Sequence, residues 1–225
     1  MSTSPSFDPR LVPVDRVDSD LPAPTLQQLQ APALAARFAR QHIWSPELHS
    51  EPRFTERAMA PASVLIALVP RSSGLQVLLT QRSTRLSSHS GQIAFPGGKA
   101  DPQDQDAVAT ALRESEEEVG LAPAFVEVLG TLPVYTTGSA YVVTPVVALI
   151  KPGFTLQANA HEVSAVFEVP LEFLMNPAHH RHHRVQWQGV ERHWLSMPYR
   201  DGEVERFIWG ATAGMLRNFY RFLLD

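Results

Sequence analysis

Three glutamates, Glu114, Glu117 and Glu118, stand at positions i, i+3 and i+4 of a segment with helical periodicity. On one helix face such residues are neighbours, and like charges so placed repel and destabilise the helix. A divalent cation relieves that repulsion: Mg²⁺ is held by a few carboxylates, by water and by substrate phosphate oxygens. Arg113 lies four residues before Glu117 and is placed to hold that carboxylate as a bidentate partner. The preceding turn, Pro96-Gly97-Gly98, allows close backbone approach, and the Gly97 carbonyl is a further oxygen ligand candidate. Asp101 and Asp104 fall near the helix start, where negative charge is favourable.

These residues need elements to position them. Asp104 to Val119 carries a small-apolar stripe of Val108, Ala111, Leu112, Ser115 and Val119, which predicts a helix ended by Gly120 at C′. Upstream, Ser63–Val69 and Leu75–Thr80 are β-rich runs either side of PRSSG, a hairpin pattern, and Gln92–Phe95 reads as a third short strand. Downstream, strand-like runs follow at Phe125–Leu132, Val142–Ile150, Ser164–Val169, Val185–Gln188, His193–Met197 and Val204–Ile208. Leu171–Met175 reads as a helical turn, and Gly210–Leu224 as an amphipathic helix burying Met215, Leu216, Phe219, Phe222 and Leu223. Many strands with few helices give an α+β sandwich.

Residues 1 to 60 hold eight of the 19 prolines, so regular structure should be sparse there. We read residues 1–30 as an irregular Pro-rich leader and 31–225 as a single domain, with a short helix near Ala33–Ile43 at its start and the amphipathic helix at its end. The run HHRHHR at 179–184 is expected on an exposed loop.

Composition removes several classes. The 225 residues include no cysteine, which excludes a disulfide scaffold, a thiolate metal site and a cysteine nucleophile. The longest apolar runs are about half of the roughly 20 residues a membrane helix needs. The N-terminus has no apolar core of a secretory signal, so a soluble cytoplasmic protein with no membrane partner is expected. A net charge of −4 argues against a nucleic-acid binder. That average hides a local net of −6 over residues 101–120, which leaves the rest of the chain at +2. A concentrated acidic helix on a slightly basic body suits an anionic substrate that arrives with divalent cations.

The segment 97–121 resembles the Nudix box: Arg113, Glu114, Glu117, Glu118, Gly120 and Leu121 match its second half. Its first half departs from the general form, with Asp104 at the acidic position and Ser115 in place of an apolar residue. Those departures resemble the coenzyme A pyrophosphatases of the superfamily, in the register Gly97, Gly98, Asp101, Asp104, Ala111, Arg113, Glu114. The upstream motif of that subfamily is similar to Leu78-Leu79-Thr80-Gln81-Arg82-Ser83 followed by Gly91 to Gly98. Ser87 stands where the subfamily has Arg, with Arg85 two residues earlier as a substitute. The resemblance covers about residues 60 to 222.

The resemblance implies a Nudix-type α/β/α sandwich with a mixed central β-sheet. It implies Mg²⁺- or Mn²⁺-dependent hydrolysis of coenzyme A to 3′,5′-ADP and 4′-phosphopantetheine. Glu114, Glu117 and Glu118 are the expected metal ligands, with the Gly97 carbonyl as a fourth. The general base varies in this superfamily, so Glu117 and Glu118 share candidacy with Glu162 on a later loop. Arg113 is expected to orient the glutamates. Arg82, Arg85 and Lys99 are the candidates for substrate phosphates, since arginine suits phosphate geometry. Tyr135, Tyr141 and Trp209 are read mainly as core. A Nudix hydrolase of another nucleotide, such as ADP-ribose or a dinucleotide, and a non-catalytic nucleotide-binding module are the alternatives, and a homodimer stays open.

Overall fold

A computed structural model describes residues 8–40, 43–84, 90–187 and 189–225. In chain order its main elements are β1 (Val14–Val17), α1 (Ala31–Ala39), β2 (Ala60–Arg71), β3 (Gly74–Arg82), β4 (Ile93–Ala94), β5 (Gly97–Lys99) and α2 (Ala107–Val119). They continue with β6 (Val126–Thr131), β7 (Tyr135–Thr136), β8 (Tyr141–Ile150), β9 (Val163–Pro170), α3 (Leu171–Met175), β10 (Arg181–Trp187), β11 (Val190–Asp201), β12 (Val204–Trp209) and α4 (Gly210–Leu224).

The central sheet is mixed and eight-stranded. Its path is β4-β3-β2-β8-β6, with β5 on β2, β7 on β8 and β9 on β3. β2 and β8 run parallel, and β2 and β3 are the expected hairpin, closed at the pair Arg71–Gly74. The period-2 alternation of strands divides the core. Leu65, Ala67 and Val69 of β2, with Leu78, Val146, Ala148 and Ile150, pack against Ala111 and Val119 of α2. Ile66, Leu68, Val77, Leu79 and Val147 face the opposite way, onto the side that holds α1, α3 and α4. Each fully buried Leu, Ile or Val contributes about 1.5–3 kcal/mol, so both faces must be covered.

The leader and the histidine run behave differently from expectation. β1 lies inside residues 1–30 and pairs antiparallel with β10, extending a second, four-stranded sheet β1-β10-β11-β12. Pro9 and Pro13 precede β1 rather than interrupt it, so no ladder hydrogen bond is lost. The HHRHHR run is not an exposed loop: from Arg181 it is strand β10, and His180 and His183 are buried. Partners make that burial tolerable: His183 Nε2 meets the Ser196 hydroxyl at 2.8 Å, and His180 Nε2 meets the Leu174 carbonyl at 2.8 Å.

The N-terminal helix is shifted to Ala31–Ala39 because Pro32 fits the first turn, where its missing N–H costs nothing. His42, expected on its apolar stripe, lies outside the described residues.

Candidate active site

Helix α2 is fixed at both ends. It starts three residues later than the stripe suggested, because Asp106 is the N-cap and accepts the Ala109 N–H at 2.8 Å. It ends at Gly120, φ +70°, where a side chain would meet the backbone of Gln157 at 3.0 Å. Ser115 is fully buried and donates to the Ala111 carbonyl at 2.7 Å, so a hydroxyl is accommodated where the motif has an apolar residue.

The helix face carries its carboxylates to two destinations. Glu114 and Glu118 turn inward and line a cavity of about 390 Å³, together with Arg82, Gly97, Gly98, Lys99 and Glu162. Glu117 turns outward, with its side chain 59% exposed, and contacts Arg113 Nη1 at 3.1 Å. The bidentate partner of Arg113 is Asp104 rather than Glu117: Nε and Nη2 meet the two Asp104 oxygens at 3.0 and 2.9 Å. Nη1 also holds Glu114 at 2.8 Å, and Nη2 grips the Lys99 carbonyl at 3.1 Å. Arg113 is therefore the clamp that sets α2 against the Gly-Gly turn. Its hydrogen bonds hold Asp104 well below the usual carboxylate range.

Glu118 is 3% exposed. Its Oε2 accepts the Gly97 N–H at 3.2 Å, and its Oε1 lies 3.5 Å from Arg82 Nη1. Burial pushes its carboxyl up to about 7; Gly97 and Arg82 oppose that rise, and the charges of Glu162 and Glu114 add to it. Glu114 is also raised by burial, against the pull of Arg113, with Glu117 and Glu162 adding. Glu162 is anchored from both sides. Its N–H donates to Asn159 and its carbonyl accepts from Ser83 at the end of β3, 2.7 Å away.

Glycines make this proximity sterically feasible. A Cβ on Gly98 would collide with the Glu114 carboxylate, and one on Gly97 with the backbone of Ser63 and Val64. At Gly97, φ is +152°, so the turn demands glycine on both counts.

Among the described residues no three His, Asp or Glu side chains form a ready metal-holding group. The donor chemistry nevertheless fits a hard divalent cation. The charges of Glu117 and Glu162 add to the rise at Glu114, those of Glu162 and Glu114 add to the rise at Glu118, and Arg82 is the one cation acting on Glu118. Uncompensated, oxygen-rich and partly buried negative charge is what Mg²⁺-type ions neutralise.

Arg82 lines the cavity with its Nε buried and in no hydrogen bond. Lys99 is exposed on the cavity wall. Arg85, with Ser87 and His89, lies outside the described residues. The remaining lining comes from elements that local spacing could not connect. Glu51, Arg192, Trp194 and the N-terminal turn of α4 all reach the same cavity. The signal that did exist, the Gly-Gly-x-x-Asp-x-x-Asp register, pointed to Asp104 without revealing its grip on Arg113.

A mixed sheet flanked by helices, with a Gly-Gly turn clamped by arginine to an acidic helix, defines a Nudix-type hydrolase. The NUDIX domain family model matches residues 59–206, and the chain belongs to that family. Among curated relatives, "Uncharacterized Nudix hydrolase NudL" of Shigella flexneri serotype 5b (strain 8401) is 42% identical over 182 residues, 80% of this chain and 89% of that protein. The protein of the same name from Escherichia coli (strain K12) is 46% identical over 158 residues, 69% of this chain and 79% of that one. Among solved structures, the NUDIX domain of Shewanella oneidensis NrtR complexed with ADP ribose matches 51% of this chain and 75% of that one, at 26% identity and TM-score 0.42.

Proposed function

We propose that the chain hydrolyses the pyrophosphate bond of coenzyme A or its derivatives, giving 3′,5′-ADP and 4′-phosphopantetheine. The supporting observation is the pairing of Arg82 with Glu118 in the lining of one cavity: Arg82 stands in the segment that resembles the upstream motif of the coenzyme A subfamily, and Glu118 on the helix. Members of the Nudix family generally need a divalent metal; here we assign Mg²⁺ or Mn²⁺, in the cytoplasm.

Glu114 and Glu118 would hold the ion, with the Gly97 carbonyl adjacent and Glu117 outside on Arg113. When bound, the ion neutralises phosphate oxygens and lowers the pKa of the attacking water. The water oxygen adds to phosphorus and the bridging P–O bond breaks. The unused Arg82 Nε is a donor for a non-bridging phosphate oxygen. Lys99 adds a mobile positive charge at the wall. Glu162, on an anchored loop and not on the helix, is our candidate to take the proton from water, its alternative role being a further ligand of the ion. Arg113 and Asp104 touch no substrate; they keep Glu114 aimed inward.

Ser87 in place of the subfamily arginine supports a second reading, hydrolysis of another nucleoside diphosphate derivative such as ADP-ribose or a dinucleotide. A panel of coenzyme A, acyl-coenzyme A, ADP-ribose and dinucleotides with Mg²⁺ or Mn²⁺, read by product mass, decides between them. Coenzyme A left intact while ADP-ribose is cleaved overturns the first reading. No cleavage with either metal leaves a binding module.

A further inference from the structure

The cavity lining holds a second polar pair, borne by elements other than the acidic helix. Glu51 comes from the segment before β2, and Arg192 from β11. Both Glu51 oxygens are already oriented: the Tyr135 hydroxyl donates to Oε1 at 3.3 Å and the Gly138 N–H to Oε2 at 2.9 Å. The backbone around it is pinned as well. The Glu51 N–H donates to the Thr136 carbonyl at 2.8 Å, and the Phe54 N–H to the Gly138 carbonyl at 3.0 Å. Beyond these two donors the Glu51 oxygens keep acceptor capacity for a ligand.

Burial pushes the Glu51 carboxyl up, and the Gly138 N–H, the Tyr135 hydroxyl and the charge of Arg192 pull it back; the Arg192 guanidinium also holds the same segment. Nη1 donates to the Pro52 carbonyl at 2.9 Å and Nη2 to the Arg53 carbonyl at 3.4 Å. Arg192 is 8% exposed, lies over the Trp187 ring at 4.6 Å, and its Nε is buried without a partner. The groups that act on Glu118 are Arg82, Glu162 and Glu114, whereas the charge that acts on Glu51 is Arg192.

Glu51 is half-buried, has two donors and meets no cation at hydrogen-bond distance among the described residues, so a further donor fits it where an anion does not. Phosphate is repelled by it; an N–H or O–H donor is not. The cavity lining is also aromatic. Tyr141, Trp194 and Trp209 line the same cavity, the two indoles edge to face with centroids 6.3 Å apart. Flat faces favour a planar, stacking group over a flexible chain.

We propose that Glu51 is a specificity-determining residue that accepts a hydrogen bond from the exocyclic amino group of an adenine-type base seated along this aromatic wall, with Arg192 as its positioning residue. The inference rests on the nucleotide reading of the cavity and adds an orientation to it. The base lies against Glu51 and the phosphates lie against Arg82.

The test is calorimetric binding of ADP and of IDP to the intact chain with Mg²⁺ present. IDP differs by a ring carbonyl where ADP carries the amino group, so an acceptor replaces the donor. One hydrogen bond gained by ADP, against two acceptors brought face to face in IDP, supports an expected preference for ADP of about tenfold. Glu51→Gln, which can present an amide N–H instead, should bring the ratio close to one. Arg192→Lys keeps the charge but loses the two-carbonyl grip, and should lower the ratio partway. Equal binding of ADP and IDP by the unaltered protein overturns the proposal, as does failure to bind either. A preference that survives Glu51→Gln in folded protein also overturns it, and an unchanged ratio in Arg192→Lys removes the positioning role. No turnover is needed, so an absence of coenzyme A hydrolysis leaves this measurement readable.

Discussion

Two arginines gather two acidic clusters in this molecule, and the clusters are balanced differently. Arg113 on α2, its side chain 31% exposed, faces Asp104, Glu114 and Glu117 at 2.8 to 3.1 Å, and further carboxylates on Glu118 and Glu162 lie beyond it. Arg217 on α4, its side chain 3% exposed, meets Asp18 at 3.0 Å and Glu47 at 2.8 Å. Asp18 also receives His182 Nε2 at 2.6 Å. Burial alone would raise Asp18, but the His182 hydrogen bond with Arg217 and Arg16 outweighs it and holds the carboxyl low. His180 completes the second cluster, its Nδ1 3.0 Å from Arg217 Nη1. The Arg217 cluster satisfies its charges and ties the leader, the second sheet and the C-terminal helix together. The Arg113 cluster leaves carboxylates in excess beside a cavity. Balance serves the fold, and imbalance serves a cation.

The largest way to break this contrast is on the unbalanced side. Glu118→Gln should lower turnover at least about a hundredfold, roughly 3 kcal/mol in the barrier, while the melting temperature stays level or rises. Gln keeps an oxygen for the Gly97 N–H and removes a buried charge that Glu114 and Glu162 repel, which offsets the loss of the 3.5 Å contact with Arg82. Hydrolysis rates and thermal melts on the same preparation check both halves; near-normal turnover would place the metal elsewhere. On the balanced side the sign reverses. Arg217→Leu strands Asp18 and Glu47 and should cost about 3–5 kcal/mol of stability, roughly 10 °C of melting temperature for a chain of this size. Folded protein at low temperature should keep its turnover. A melt within 2 °C or so of the unaltered protein would mean the Arg217 cluster carries little.

The difference between the clusters also separates what could be read from the sequence. The Arg113 cluster is local: apart from the loop residue Glu162 it spans Gly97 to Gly120, so spacing alone brings its members to one helix and one turn. Even there, spacing could not decide that Glu117 points outward or that Arg113 forks onto Asp104, because both depend on where the Gly-Gly strand docks. The Arg217 cluster joins residues 18, 47, 180, 182 and 217, and no window of sequence contains it. The histidine run looked like biased composition. Its strand signal was the alternation of His183, Val185 and Trp187, more buried than Arg184 and Gln186 between them. Glu51 illustrates the same limit, since its orienting partners lie 84 and 87 residues away. Helix α4 and the β2–β3 hairpin were legible because each is specified by its own periodicity and its own turn.

A subtler change sharpens the contrast within the Arg113 cluster. Asp104→Asn leaves every metal-facing carboxylate in place and removes the charge that fixes Arg113. The metal half-saturation concentration should rise about tenfold, in the range for residues that orient ligands, with turnover at saturating metal changed less. Titration of activity against Mg²⁺ measures this; an equal loss at saturation would give Asp104 a direct part in the chemistry.

The smallest expected effect compares the clusters through pH. Glu118 has a folded pKa of about 7 against an ordinary 4.5. The metal-free folded state therefore holds a proton that the unfolded chain has released. That contribution is full below about pH 4.5 and is lost as pH rises to about 7. His180 runs the opposite way: burial pushes it from 6.5 to about 4, so its contribution is full above about pH 6.5 and is lost as pH falls toward 4. Each effect is at most about 1.4 kcal/mol per pH unit, and between pH 4.5 and 6.5 they oppose. Metal-free protein should show a nearly flat contribution from this pair across that window. Glu118→Gln should unmask the His180 slope, with stability rising more steeply with pH in denaturant melts made with a chelator present. If the variant and the unaltered protein have the same slope, Glu118 releases its proton at the ordinary pH of a carboxylate, and the excess charge beside the cavity is already compensated without a cation.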